Sequence, residues 1–159
     1  MDIEEQYDKL LRYCYMKLHN RTLAEDITQE SFIRFLESRN YQNVGKGMAY
    51  LYTIAGNLCI DYYRKKKEES LENIQEIPET ESSENNIVEH ITIESALDNL
   101  PFEEREAIVL RFMAELPIEE IGQILGLSRF SVHRRIASAT KKLRKEMEKV
   151  ENKRTETAY

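Results

Sequence analysis

The chain has 159 residues, 41% hydrophobic and 33% charged, with five Gly and three Pro; this fits a helix-rich globular protein and excludes a disordered one. No apolar run approaches the roughly 18 residues that cross a bilayer, and the opening Met1-Asp2-Ile3-Glu4-Glu5 is not a basic segment followed by an apolar one, so a cytoplasmic protein without membrane insertion is expected. Taken whole, the net charge of −6 argues against nucleic acid, but it is unevenly placed: residues 1–67 carry 11 basic and 9 acidic side chains, residues 68–100 carry 10 acidic and no Lys or Arg, and residues 101–159 carry 12 basic and 10 acidic. All the excess acidity lies in the middle.

From the N-terminus, Leu10, Leu11, Cys14 and Leu18 recur at helical spacing and predict a helix over about Ile3 to Leu18. Thr22-Leu23-Ala24-Glu25 has the form of a capping box, which predicts a helix starting there and running through Leu36. A polar loop follows from Ser38 to Gly47, broken by Gly45 and Gly47. In the next helix, about Met48 to Lys67, Leu51, Ile54, Ala55, Leu58 and Tyr62 form a core stripe. Tyr50, Thr53, Asn57, Asp61 and Arg64 line up on another face, ahead of the basic run Arg64-Lys65-Lys66-Lys67. An aromatic ring beside hydrogen-bonding and basic groups suits the stacking of an unpaired base, although an ordinary surface helix with a basic end has the same composition.

Cys14 and Cys59, the only cysteines, sit inside apolar helical patterns without redox or zinc spacing and read as core thiols. His19, His90 and His133 are scattered singly, so neither a metal nor another cofactor is expected. The stretch from Glu76 to Asn86 is polar, like-charged and without helical period. It reads as a flexible linker, either a solvated spacer or a strand that lies in a positive channel on a partner.

Beyond it, Asn99-Leu100-Pro101-Phe102-Glu103-Glu104-Arg105 marks a helix start, with Val109, Phe112, Met113 and Leu116 as the buried stripe. Pro117 opens a short helix over Ile118 to Leu125, Gly126 stands where a left-handed cap is needed, and Ser128 can cap the helix that follows. A short helix, a Gly turn and a Ser-capped helix make the helix-turn-helix plan, whose second helix enters the major groove. In that second helix Val132, Ile136, Ala139, Leu143, Met147 and Val150 fix the buried side, while Ser131, Arg134, Arg135, Ser138, Lys141 and Lys142 lie on the other. Between Ser128 and Lys145 there are seven Lys or Arg and no acidic residue; such one-sided charge serves phosphate neutralisation.

These pieces, in this order, resemble the extracytoplasmic-function (ECF, group 4) sigma factors of bacterial RNA polymerase, within the sigma-70 family. The resemblance rests on Ala24-Glu25-Asp26-Ile27-Thr28-Gln29-Glu30-Ser31-Phe32, on the block Tyr50 to Arg64, on Leu100-Pro101 with Arg105-Glu106, on Glu119 to Ser128, and on Val132 with Arg135. It implies an all-α fold of two small helical domains: region 2 over residues 1–67 and a region 4 helix-turn-helix over residues 91–150, joined by an acidic linker at 68–90 and followed by a polar tail at 151–159. Asp26, Gln29, Glu30 and Phe32 would dock on the β′ clamp helices of core polymerase. Asn40, Lys46, Tyr50, Asn57, Asp61 and Arg64 would bind the −10 element and capture a flipped base. Arg129, Ser131, His133, Arg134, Arg135, Ser138, Lys141 and Lys142 would bind the −35 element. Further partners implied are the β flap and an anti-sigma factor. Departures from the family pattern are Tyr50 in place of the common Trp, Gly56 and Ser138 in place of Arg, and Arg134 in place of a small residue.

The function expected is therefore that of an alternative sigma factor, which is not an enzyme by itself. An autonomous helix-turn-helix regulator is the alternative, and it leaves Asp26-Ile27-Thr28-Gln29-Glu30 without a role. A hydrolase or other enzyme lacks any Ser/His/Asp, Cys/His or Gly-rich phosphate constellation.

Overall fold

Asp2 begins the fold by accepting hydrogen bonds from the backbone N–H of Glu4 at 3.1 Å and Glu5 at 3.4 Å, which caps helix α1 (Ile3–Leu18). The structure is a computed structural model that describes residues 2–38, 47–72 and 88–157, with backbone alone at residues 72, 88–92 and 153–157. The regular elements described are all helical: α1 is followed by α2 (Arg21–Glu37), α3 (Gly47–Glu72), α4 (Val88–Asp98), α5 (Phe102–Phe112), α6 (Ile118–Leu125) and α7 (Arg129–Thr157). The all-α expectation holds among these residues. The expected loop over 38–47, with Asn40 and Lys46, and the expected linker from Glu76 to Asn86 lie outside the described residues.

Helix α1 ends at His19, in the left-handed region at φ 52°, and this sharp stop sets where α2 begins. Asn20 follows in an extended conformation and accepts from the N–H of Leu23 at 3.0 Å. The cap of α2 is therefore Asn20, not Thr22, and Glu25 pairs with Arg21 at 3.2 Å instead of closing a capping box. Helix α2 buries Ala24, Ile27, Thr28, Ser31 and Phe35. Its two buried hydroxyls donate to the carbonyls one turn back, Thr28 to Ala24 at 2.7 Å and Ser31 to Ile27 at 2.6 Å, so neither is left unsatisfied.

Helix α3 packs on α1 and α2 and also on α6. With neighbours on two sides, its buried face is centred on Leu51, Tyr52, Ala55 and Cys59, and the expected Ile54, Leu58 and Tyr62 form its half-buried flank. It also continues past Lys67 to Glu72. Cys14 and Cys59 are free thiols buried between α1 and α3. The hydrogen bond with Cys14, together with burial, pushes the Cys59 thiol far up.

In the C-terminal half Pro101 stands at the N-cap position of α5, and Glu103 and Glu104 follow in its first turn. Five successive residues, Glu106 to Leu110, are buried, because α5 is enclosed by α6, α7 and α1. Phe112, expected on the buried stripe, is 62% exposed, and Met113 and Leu116 turn inward without it. Helix α7 buries Val132 and Ala139 completely, with Ile136 and Leu143 beside them. It continues through the stretch expected as a tail to Thr157.

The two halves pack against each other, and one hydrophobic cluster runs from Leu10 and Leu51 to Leu110 and Val132. At the seam the carboxylate of Glu106, 5% exposed, accepts a hydrogen bond from the hydroxyl of Tyr13 at 3.1 Å and forms a close ion pair with Lys17. Lys9 and Glu115 pair at 2.9 Å, and His19 lies 3.4 Å from Asp98. Burial and the charge of Glu106 push the Tyr13 phenol well above its ordinary value.

Candidate nucleic-acid interface

Three local features build the turn that presents α7. Pro117 stands at the N-cap position of α6 in an extended conformation, without a side-chain cap hydrogen bond, and its fixed φ sets the entry into the helix. At the other end Gly126 takes φ 67°, where a Cβ would strain the backbone, and donates to the carbonyl of Gly122. Ser128 then accepts from the N–H of Ser131 at 3.2 Å and caps α7. Gly122 was not singled out in the sequence, yet the turn closes over it: a Cβ there would stand 2.7 Å from the carbonyl oxygen of Leu127. Only a glycine lets the backbone after the turn approach α6 this closely.

With Val132 and Ala139 fixed in the core, Arg129, His133, Arg134, Lys141 and Lys142 stand exposed along α7, and Ser131, Arg135 and Ser138 are half-buried. Ser131 is held by Ser128 at 3.0 Å and accepts from Arg134 at 3.2 Å, which steadies that guanidinium above the first turn. The positive face is not uniform. Arg135 pairs with Glu103 at 3.3 Å, while Lys142 and the hydroxyl of Ser138 each reach Glu104 at 3.0 Å. The carboxylates come from α5, so a count along α7 alone does not show them. Among the described residues no carboxylate pairs with Arg129, Arg134 or Lys141. The unneutralised part of the face therefore holds the first turn of α7 and the side opposite its core contacts.

On α3 the structure brings Tyr50, Asn57, Asp61 and Arg64 together as one exposed face. Tyr50 is 40% exposed among the described residues and leans on the buried ring of Phe35, with centroids 6.2 Å apart. Thr53 sits between them, its hydroxyl turned back to the carbonyl of Ala49 at 2.8 Å. Asn40 and Lys46, expected beside this face, lie outside the described residues.

On α2, Asp26 and Gln29 are exposed, Glu30 is half-buried and pairs with Arg34 at 2.9 Å, and Phe32 stacks on Tyr7 with centroids 5.8 Å apart. Ile33 and Leu36, 50% and 63% exposed, add apolar surface to this helix that the sequence reading did not include. Charges, an amide and open apolar groups on one helix suit docking on another protein.

Comparison with known proteins places both halves. The sigma-70 region 2 family matches residues 3–69, and the sigma-70 region 4 family matches residues 96–145. The ECF RNA polymerase sigma factor SigW of Bacillus subtilis is 35% identical over 92% of this chain and 87% of its own. The ECF RNA polymerase sigma factor SigE of Mycolicibacterium smegmatis is 34% identical over 89% of this chain and 58% of its own. In fold, the chain is similar to the sigma factor RpoE of Bartonella quintana in its co-crystal with the anti-sigma factor NepR, with a TM-score of 0.73 and 19% identity over 92% of this chain and 94% of that one. An autonomous regulator finds no support in these matches. With a region 2 and a region 4 in the family's order, the chain belongs to the sigma-70 family, as one of its ECF sigma factors.

Proposed function

We propose that this sigma factor reads promoters through two surfaces: the Tyr50–Arg64 face of α3 at the −10 element, and the first turns of α7 at the −35 element. The observation that carries the proposal is their chemistry within one chain. Tyr50 offers an exposed ring for a base, with Asn57, Asp61 and Arg64 along the same helix to hold its edge and the adjoining phosphates. Arg129, His133 and Arg134 project from a helix-turn-helix, where guanidinium groups can make paired hydrogen bonds to guanine. Arg135, Ser138 and Lys142 belong to the same surface but are held by Glu103 and Glu104, so they contact DNA only by exchanging those partners.

Asp26, Gln29, Glu30 and Phe32, with Ile33 and Leu36 added by the structure, are the proposed dock for core polymerase at its β′ clamp helices, and the β flap would receive the C-terminal half. Binding core first makes the two promoter contacts intramolecular, so that modest contacts act together. The chain supplies recognition and the polymerase the chemistry, in the cytoplasm. No helix among the described residues is long and apolar enough to cross a membrane.

The packed halves have a mechanical consequence. Elements about 25 base pairs apart lie about 85 Å apart along duplex DNA at ~3.4 Å per pair, whereas a packed chain of this length has a radius of gyration of only about 15 Å. The readers reach both elements only after the seam of Tyr13, Lys17 and Glu106 opens, and core polymerase is the partner that would hold the open form. An anti-sigma factor such as the one bound to RpoE would hold the closed one.

Run-off transcription from genomic fragments with core polymerase tests the proposal. Defined start sites are expected, and Tyr50→Ala is expected to reduce permanganate-detected melting by more than it reduces core binding. Normal melting by that variant would remove Tyr50 from the −10 reader.

A further inference from the structure

On the −35 face one residue has the wrong chemistry for a solvated helix and the right chemistry for a specific base. Phe130, the second residue of α7, is 79% exposed. At 3.6 residues per turn it stands about 160° around the helix from Val132, whose complete burial fixes the core direction. Phe130, Arg134 and Lys141 then lie in line on the side facing away from the core, at spacings that put them on one face. Two cations share the face with the ring, and among the described residues neither pairs with a carboxylate. In the major groove the one apolar group on a base edge is the C5-methyl of thymine, which takes apolar contact from side chains such as Phe.

We propose that Phe130 is a specificity-determining residue that packs on a thymine methyl in the −35 element, while Arg134 and Lys141 hold the flanking groups. The inference rests on α7 being the −35 reader. It assigns discrimination of thymine from cytosine to van der Waals contact, where no hydrogen bond need be made. Phe130 lies outside the buried cluster of the described residues, so its replacement is expected to leave the domain folded.

The test is holoenzyme binding, at matched salt, to a run-off-selected promoter in which each thymine of the −35 element on either strand is replaced in turn by deoxyuridine, which removes only the methyl. One replacement is expected to weaken the native holoenzyme about fourfold, the worth of burying one methyl. Phe130→Ala is expected to bind thymine and deoxyuridine promoters equally, with its affinity for core unchanged. Protection of the −35 region that is indifferent to every replacement would overturn this inference alone. So would equal methyl sensitivity in Phe130→Ala, or a loss of core binding in that variant, which would make Phe130 a protein contact. Absence of any −35 protection would overturn the reading of α7 and this inference with it.

Discussion

The turn between α6 and α7 and the seam between α1 and α5 both depend on close contact, yet they are specified very differently. At the turn every determinant is local: Pro117, Gly122, Gly126 and Ser128 fall within a dozen positions and act on their own backbone. At the seam the partners are remote, with Tyr13 and Lys17 separated from Glu106 by 93 and 89 positions. A local turn forms whenever its own sequence is intact. A seam centred on one buried carboxylate exists only while the two halves stay together, which suits the proposal that the two readers separate on promoter DNA.

The largest effect is expected at the seam. Lys17→Met leaves Glu106 buried without its cation, and breaking such a pair costs about 3 kcal/mol or more; separation of the halves relieves that cost. The variant is expected to show a larger radius of gyration by small-angle scattering, and Lys17→Met combined with Glu106→Leu is expected to recover the packed form. Unchanged scattering by the single variant would contradict this account of the seam. Tyr13 gives the same test by pH. Its neutral phenol is favoured in the folded state, so its contribution is fully present below the ordinary value of 10.0 and is lost as the pH rises above it. Alkaline expansion is the expected result.

At the turn the two glycines separate two causes. Gly122→Ala forces a Cβ against a backbone carbonyl and is expected to cost about 2 kcal/mol, read as a lower melting temperature together with loss of −35 protection. Gly126→Ala meets open space and pays only for its left-handed backbone, about 1 kcal/mol. Equal losses for both would contradict the close approach at Gly122.

This contrast explains what the sequence could and could not reveal. Helical periods, the Gly126 cap and the Ser128 cap were legible because each is written within a few residues of where it acts. Thr22 misled because the left-handed stop at His19, invisible in residue types, moves the cap of α2 back to Asn20. Phe112 misled because periodicity marks a face without naming the neighbour that covers it. For the same reason Glu103 and Glu104 were not seen beside Arg135 and Lys142: complementarity between two helices is a tertiary fact. Of the proposed −10 reader, the face of α3 was legible as a row of exposed residues, but the support of Tyr50 by Phe35 was not.

The smallest effect is expected from Lys9 and Glu115. Lys9 pulls the Glu115 carboxyl below its ordinary value of 4.5, so the pair acts above that value and is lost as the pH falls through the lowered one. At high salt the effect is expected to vanish, since Glu115 faces solvent. Acid sensitivity of the packed form that persists at high salt would assign it to another group.

Recognition is proposed to belong to the chain but to become effective only on core polymerase. Titration of one promoter at matched salt, with the free protein and with the holoenzyme, tests it most directly. Weak binding is expected from the closed, net-acidic free protein, and tight binding, with both −10 and −35 protection, from the holoenzyme. Equal affinity in the two titrations would contradict it.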